Sequence, residues 1–210
     1  MCFSRQPRRR IQPNPPQRIG YNSRRLGHHR GAALSERLVT ELGRIVDALQ
    51  KRASPVDSEN LARVGEQVAK AFSVKPDEVA ILALIEQDKF LKFLIPEKLQ
   101  AIGTIPMTSN TALAARTARE KRPELVNNFT AARHASVFEG VPLGRRHGEL
   151  IHKIMSAPVT VENKVVGVVQ ISRKGRSATD AGPDFTQKDL RDLVSLTDVL
   201  GRFIKTCQGS

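Results

Sequence analysis

Residues 154–175, IMSAPVTVENKVVGVVQISRKG, and the PDFTQKDL of residues 183–190 that follows a short polar loop, decide the fold. Two runs rich in valine and isoleucine flank Glu162-Asn163. Asparagine tolerates the positive φ that a tight turn demands, so the stretch reads as a β-hairpin. Met155, Ala157, Val159 and Val161 recur with period two and share one face of the first strand. Val166, Val168 and Val169 leave the second strand apolar on both faces, as a central strand requires. A helix start follows. Thr186 is its N-cap, Asp189 three residues on completes a capping box, and Phe185 is placed to staple onto Leu190.

Working outward, the apolar face of that last helix comprises Leu190, Leu193, Val194, Leu200, Phe203 and Ile204. Upstream, Leu34, Leu38, Leu42, Ile45 and Leu49 repeat at helical spacing over residues 34–53, and Pro55 breaks the pattern. A second helix follows Asp57, with Leu61, Val64, Val68 and Phe72 on one face, and Lys75-Pro76 is its expected end. Next come two strands, Glu78–Ile85 and Phe90–Ile95, around the turn Glu86–Lys89. Leu99–Met107 is expected as a third strand entering through Gly103. A helix capped by Thr108 or Ser109 then carries Leu113 and Ala114 and stops before Pro123.

The hairpin, loop and capped helix resemble the C-terminal half of a GAF domain, a small-molecule-sensing module. The family pattern has a glycine in V-x-G-V, an Asn-Lys pair, and Phe-x-x-x-Asp-Glu opening the last helix. Here Val166-Gly167-Val168 fits, Lys174 takes the lysine place, and Phe185 and Asp189 have the family spacing. Arg173 stands where the asparagine belongs and Leu190 where the glutamate belongs, which argues against a cyclic nucleotide as ligand. PELVNNF resembles a short family strand, with Asn128 in a usual aspartate place, and ARHASVFEG the short helix that lids the pocket. The resemblance implies an α+β fold: a GAF/PAS-like central antiparallel sheet of five or six strands. The N- and C-terminal helices would cover one face, and pocket helices and loops the other. Expected boundaries are a basic tail over 1–33, a helix within 34–56, and the GAF domain over 57–206.

Composition limits the function. The formal charge is +13, but residues 1–33 hold eight arginines and no acidic residue, leaving only +5 for the remainder. Such a like-charge block reads as a disordered tail, either merely solvated or an arm for polyanions such as nucleic acid. There is no Trp and one Tyr, so aromatic platforms for stacking bases are scarce. No apolar run approaches a membrane span. Cys2 and Cys207, near opposite ends, give no disulfide framework or thiolate zinc site, which points to the reducing cytoplasm. No G-x-S-x-G, Walker A or kinase signature is present.

Carried onto this chain, the family pocket is bounded by Thr104–Asn110, Asn127–Phe138 and the central strands. Its polar candidates are Thr108, Asn127, Asn128, Arg133, His134 and Glu139; Met107, Phe129 and Phe138 are its candidate apolar wall. Asn127 and Asn128 could equally bond their own turn, and His134 sit on a helix surface. His134, His147 and His152, with Glu139 and Glu149, match no metal-ligand spacing, so no metal is expected. Thiol chemistry of the kind some GAF-fold reductases perform needs a cysteine in the pocket, and neither cysteine lies in that region. The resulting expectation is a non-catalytic sensory module that binds a small ligand whose identity, like any cofactor, is not legible. The alternative is an interaction protein with an unoccupied pocket and a polyanion-binding arm. The stripe on the 34–53 helix suggests a homodimer. Lys174 and Asp189 are expected to pair, as in the family, with Arg173 mattering least of the motif residues.

Overall fold

The computed structural model describes residues 29–51, 57–129 and 149–209. Helix α1 (His29–Gln50) begins ahead of the expected residue 34. Helix α2 (Ser58–Phe72) is capped by Asp57, whose carboxylate accepts the Asn60 N–H at 2.9 Å. It ends earlier than expected. Ser73 adopts a left-handed conformation, φ 52°, and its N–H turns back to the carbonyls of Ala69 and Lys70. Lys75-Pro76 instead opens a 3-10 turn, Pro76–Glu78, that leads into the sheet.

Six strands follow: β1 (Val79–Ile85), β2 (Phe90–Ile95), β3 (Thr104–Pro106), β4 (Glu124–Val126), β5 (Leu150–Val161) and β6 (Lys164–Gly175). They form one antiparallel sheet in the order β3-β2-β1-β6-β5-β4. The β5–β6 hairpin turns through Glu162 and Asn163, both at positive φ (51° and 62°), as the right-handed twist of the strands favours. Gly167 brings β6 flush against its neighbours. A Cβ there would lie 2.1 Å from the Leu82 carbonyl oxygen and 2.6 Å from Ile204 Cδ1.

Two sequence expectations are corrected. The first four residues of the segment expected as the third strand lie in a 3-10 turn, Glu97–Ile102, which buries Leu99 before Gly103 (φ 115°) releases the short β3. The final helix is broken into α4 (Gln187–Ser195) and α5 (Thr197–Gln208). The hydroxyls of Ser195 and Thr197 donate to the carbonyls of Asp192 and Val194, competing with the helical ladder at that point. The offset turns Val194 outward, leaving it 40% exposed.

The four helices α1, α2, α4 and α5 pack on one face of the sheet, over Ile81, Ala83, Met155, Ala157, Val159, Val169 and Ile171. Leu38, Leu42, Ile45 and Leu49 of α1 are all buried in this same core. The stripe expected to seek a second copy is therefore consumed within the chain, and the reason for a homodimer through it does not hold. The opposite face carries α3 (Leu113–Glu120), whose Ala114, Ala115 and Ala118 lie over Leu82, Leu84, Leu91, Phe93 and Val168. Neither Thr108 nor Ser109 caps α3: its N-cap position is Ala112, whose side chain offers no acceptor, and the Ser109 hydroxyl accepts the Ala112 N–H at 3.1 Å in the turn that leads into the helix. No helix among the described residues is long and apolar enough to cross a membrane.

Candidate functional site

The α3 face of the sheet carries a buried line of neutral polar groups. Period two sends Ser156 of β5 and Gln170 of β6 away from Met155 and Ile171 and towards α3. The two residues are direct partners in the β5–β6 register. Thr117 of α3 donates to Ser156 Oγ at 2.7 Å, and Gln170 Nε2 reaches the same oxygen at 3.4 Å. Thr117 and Ser156 are fully buried and Gln170 is 5% exposed. Beside them Leu113, Phe129 and Ile154 form a small apolar cluster. A line of hydrogen-bonded polar groups against a small apolar wall is the composition of a ligand-binding floor.

The line continues along β6. Ser172 Oγ donates to the Glu78 carbonyl at 3.1 Å. The buried Glu78 carboxylate accepts two backbone N–H groups, from Lys75 at 2.7 Å and from Lys174 at 2.6 Å. Lys174 Nζ donates to the Asp77 carbonyl at 2.6 Å and lies 3.7 Å from the Asp77 carboxylate. Burial pushes the lysine pKa down from its ordinary value, against the opposing pull of Asp77, Glu78 and Glu149. His152, one of the three histidines considered as metal ligands, places Nε2 3.1 Å from the Gly175 carbonyl.

The expected Lys174–Asp189 pair is absent. Asp189 serves Thr186 instead, accepting its backbone N–H at 2.7 Å, while Thr186 Oγ1 accepts the Asp189 N–H at 3.2 Å. The reason is alternation along β6. Lys174 faces the α3 side, so its neighbour Arg173 points at the helices, where the start of α4 lies. Arg173 lies over the Phe185 ring, 4.7 Å from its centroid. Its Nη2 and Nη1 donate to the carbonyls of Phe72 and Ser73, at 3.3 and 3.4 Å, and so close the C-terminus of α2. Far from mattering least, Arg173 joins α2, β6 and the entry to α4.

The remaining sequence candidates divide. Asn127 is a latch: its Nδ2 donates to the Phe185 carbonyl at 2.9 Å and its Oδ1 accepts the Phe185 N–H at 3.0 Å. Both ends of the amide are committed to the chain, which leaves little for a ligand. Phe129 is buried in the apolar wall, and Met107 is half-buried against the α3-side core. Thr108 and Asn128 are exposed. Arg133, His134, Phe138, Glu139 and His147 lie outside the described residues. Sequence reasoning missed Ser156, Gln170 and Thr117. The signal was present in IMSAP and VVQIS, where one polar residue interrupts each apolar run at facing register positions.

Cys207, in the last turn of α5, is a free thiol on the helical side. Burial pushes its pKa up from 9.0 to about 11, which suppresses the nucleophilic thiolate.

Comparison with known proteins agrees with this architecture. The GAF domain of an Acinetobacter phosphoenolpyruvate-protein phosphotransferase superposes with a TM-score of 0.61 at 18% identity, covering 86% of this chain and 96% of its own. The corresponding domain from Coxiella burnetii gives 0.60 at 12% identity, over 85% and 96%. The free methionine-R-sulfoxide reductase of Neisseria meningitidis, solved with its substrate, gives 0.57 at 15% identity, over 85% and 92%. No curated protein sequence matches the chain. The family model of the GAF domain matches residues 58–205, from the first turn of α2 into α5, and the chain belongs to the GAF domain family.

Proposed function

We propose that this protein is a non-catalytic sensory module of the bacterial regulatory type, working in the cytoplasm, which binds a small ligand on the α3 face of its sheet. The observation that carries the reading is the buried Thr117–Ser156–Gln170 line beside Leu113, Phe129 and Ile154. Polar side chains are not needed to pack α3, because Ala114, Ala115 and Ala118 already do so on apolar partners. Their presence there favours a site that fixes the orientation of a polar ligand. The raised Cys207 pKa and its place on the helical face argue against catalysis by this thiol. A ligand would signal by binding one arrangement of the layers more tightly than another.

A thermal-shift screen with nucleotides, amino acids and haem tests the reading. A ligand at a hundred times its Kd stabilises the native state by about 2.7 kcal/mol, or roughly 5–10 °C for a domain of this size. Gln170→Leu should abolish that shift for any hit that uses the floor. Failure of every class to raise Tm, or a hit indifferent to Gln170→Leu, counts against it. A second reading, an interaction protein with an unoccupied pocket, is favoured by the eight arginines of residues 1–33. Binding of heparin or DNA that falls steeply with salt, with no small-molecule hit, supports that one.

A further inference from the structure

A concavity of about 260 Å³ opens on the helical side of the sheet, opposite the polar floor of β5 and β6, between the first half of α2 and the turns that flank the sheet edge. Its apolar lining is Leu61, Ala62 and Gly65 from α2, with Pro76, Ile95 and Pro96 opposite. Gly65 sets its depth, since a Cβ there would meet Ile95 Cγ2 at 3.2 Å. Its lips are acidic. Glu59, Ala62 and Glu66 fall on one stripe of α2 at helical spacing, and Glu97 stands across the slot. Glu59 and Glu66 are exposed and make no hydrogen bond or ion pair among the described residues. Lys98 is the only basic residue lining the slot among those described. In a chain of net charge +13, an apolar slot flanked by the free carboxylates of Glu59 and Glu66, with Glu97 (which accepts the Ser58 hydroxyl at 2.7 Å) and Asp77 also at its edge, stands out.

The complementary sequence is in the same chain. Residues 1–28 contain seven arginines and no acid, and three times an arginine directly precedes a large aliphatic residue: Arg10-Ile11, Arg18-Ile19 and Arg25-Leu26. Reach separates the three. The N-terminal half of α1 runs beside the C-terminal half of α2, because Glu36–Arg44 and Gln67–Ala71 line a common cleft. From Ala71 back to Ala62 is about 13 Å of helix, and from Leu38 back to His29 about 13 Å more in the opposite sense, so the slot lies roughly 27 Å from the root of the arm. At about 3.4 Å per extended residue, Leu26 falls far short and Ile19 reaches only at about four-fifths of full extension, whereas Ile11 reaches with slack. Ile11 also follows three consecutive arginines, Arg8, Arg9 and Arg10.

We propose that the slot docks the chain's own basic arm, with Ile11 seated between Leu61, Gly65 and Ile95 and the arginines of residues 8–10 against Glu59, Glu66 and Glu97. The occupant is then a competitor for polyanions, and the acidic lips hold the arm when none is bound.

The test uses the full chain with a photo-crosslinking benzoylphenylalanine at position 11, and the same probe at position 26 as a distance control. Expected are cross-links from position 11 to peptides covering residues 58–66 and 95–98, and none to them from position 26. Yield should fall roughly tenfold in a Glu59→Lys, Glu66→Lys double variant. It should fall likewise in Ala62→Phe, which fills the slot without touching charge. Thermal melts verify that both variants are folded; if one is not, the other carries the test. Equal cross-linking from positions 11 and 26, yields unchanged by a folded slot variant, or products spread over the surface would overturn the proposal. Mixing isotope-labelled and unlabelled chains decides the source. Cross-links within one chain support it, and mixed products would assign the slot to the arm of a second copy and overturn it as stated.

Discussion

Among the polar residues of the β6–α4 motif, replacing Arg173 by alanine should destabilise the fold most. The guanidinium face over Phe185, half-buried, is worth about 0.5–2 kcal/mol. Its two hydrogen bonds to the Phe72 and Ser73 carbonyls are long, at 3.3 and 3.4 Å, so each contributes toward the low end, about 0.5 kcal/mol. A cation at the C-terminus of α2 adds about 0.3–1 kcal/mol through the helix dipole. Against these stands Arg173 Nε, buried with no acceptor, at a cost of about 1 kcal/mol. The balance is about 1–3 kcal/mol, or a Tm lower by roughly 2–12 °C. Loss of the Asp189 cap should cost about 1 kcal/mol, reversing nothing in that order. Urea denaturation of Arg173→Ala, Arg173→Lys and Asp189→Ala measures the series. Lysine keeps the charge but neither the flat face nor the fork, so it should recover less than half of the loss. A double-mutant cycle with Phe185→Leu should show a coupling of about 0.5 kcal/mol or more. An Arg173→Ala cost below about 0.5 kcal/mol, or no coupling to Phe185, would refute the reasoning.

Three further outcomes are expected. A double-mutant cycle should find Lys174 coupled to Asp77, by up to about 1 kcal/mol, and uncoupled from Asp189. Leu42→Ala, at a site 1% exposed, should cost about 2–5 kcal/mol by the same amount at every protein concentration, because the α1 stripe is buried within one chain; a cost that grows on dilution would restore the dimer. On the alkaline side two groups pull stability in opposite directions. Lys174, its folded pKa below 10.5, holds fewer protons folded than unfolded, so its contribution rises with pH through the window beneath 10.5. Cys207, raised from 9.0 to about 11, holds its proton longer when folded, so its contribution is present below 9.0 and is lost as pH climbs to about 11. Native Cys207 should alkylate about 100-fold more slowly at pH 8 than in urea, and equal rates would show that the thiol is not shielded.

What could be read from the sequence was what local chemistry dictates. The β5–β6 hairpin, its Glu162-Asn163 turn, the Thr186–Asp189 capping box and the α1 core stripe of three leucines and Ile45 each depend on neighbours within a few residues. The misses came from contacts between distant segments. Nothing near Lys174 says that its partner is Asp77, 97 residues away in the sequence. Nothing near Asn127 says that it is committed to the backbone of Phe185. The family pattern supplied an expected partner for Lys174 but could not supply the face it points to once Arg173 replaced asparagine beside it. The break between α4 and α5 was local, in the Ser195 and Thr197 hydroxyls, and could have been found.

The two ends of the motif act on one short segment. Arg173 holds the Phe72 and Ser73 carbonyls from the helical side of β6. From the other side, Ser172 holds the Glu78 carbonyl, while Lys174 holds the Asp77 carbonyl through Nζ and the Glu78 carboxylate through its backbone N–H. Three consecutive residues of one strand thus grip residues 72–78, the end of α2 and the turn into β1, from both faces of the sheet. Gln170, two positions before Ser172 on the same face, belongs to the proposed ligand floor. A ligand that shifts the end of β6 relative to β1 must therefore either carry the C-terminus of α2 with it or break these bonds. That linkage gives the helical layer a physical reason to respond to an event on the opposite face, through hydrogen bonds between side chains and backbone within the described residues and with no charge passed between the layers.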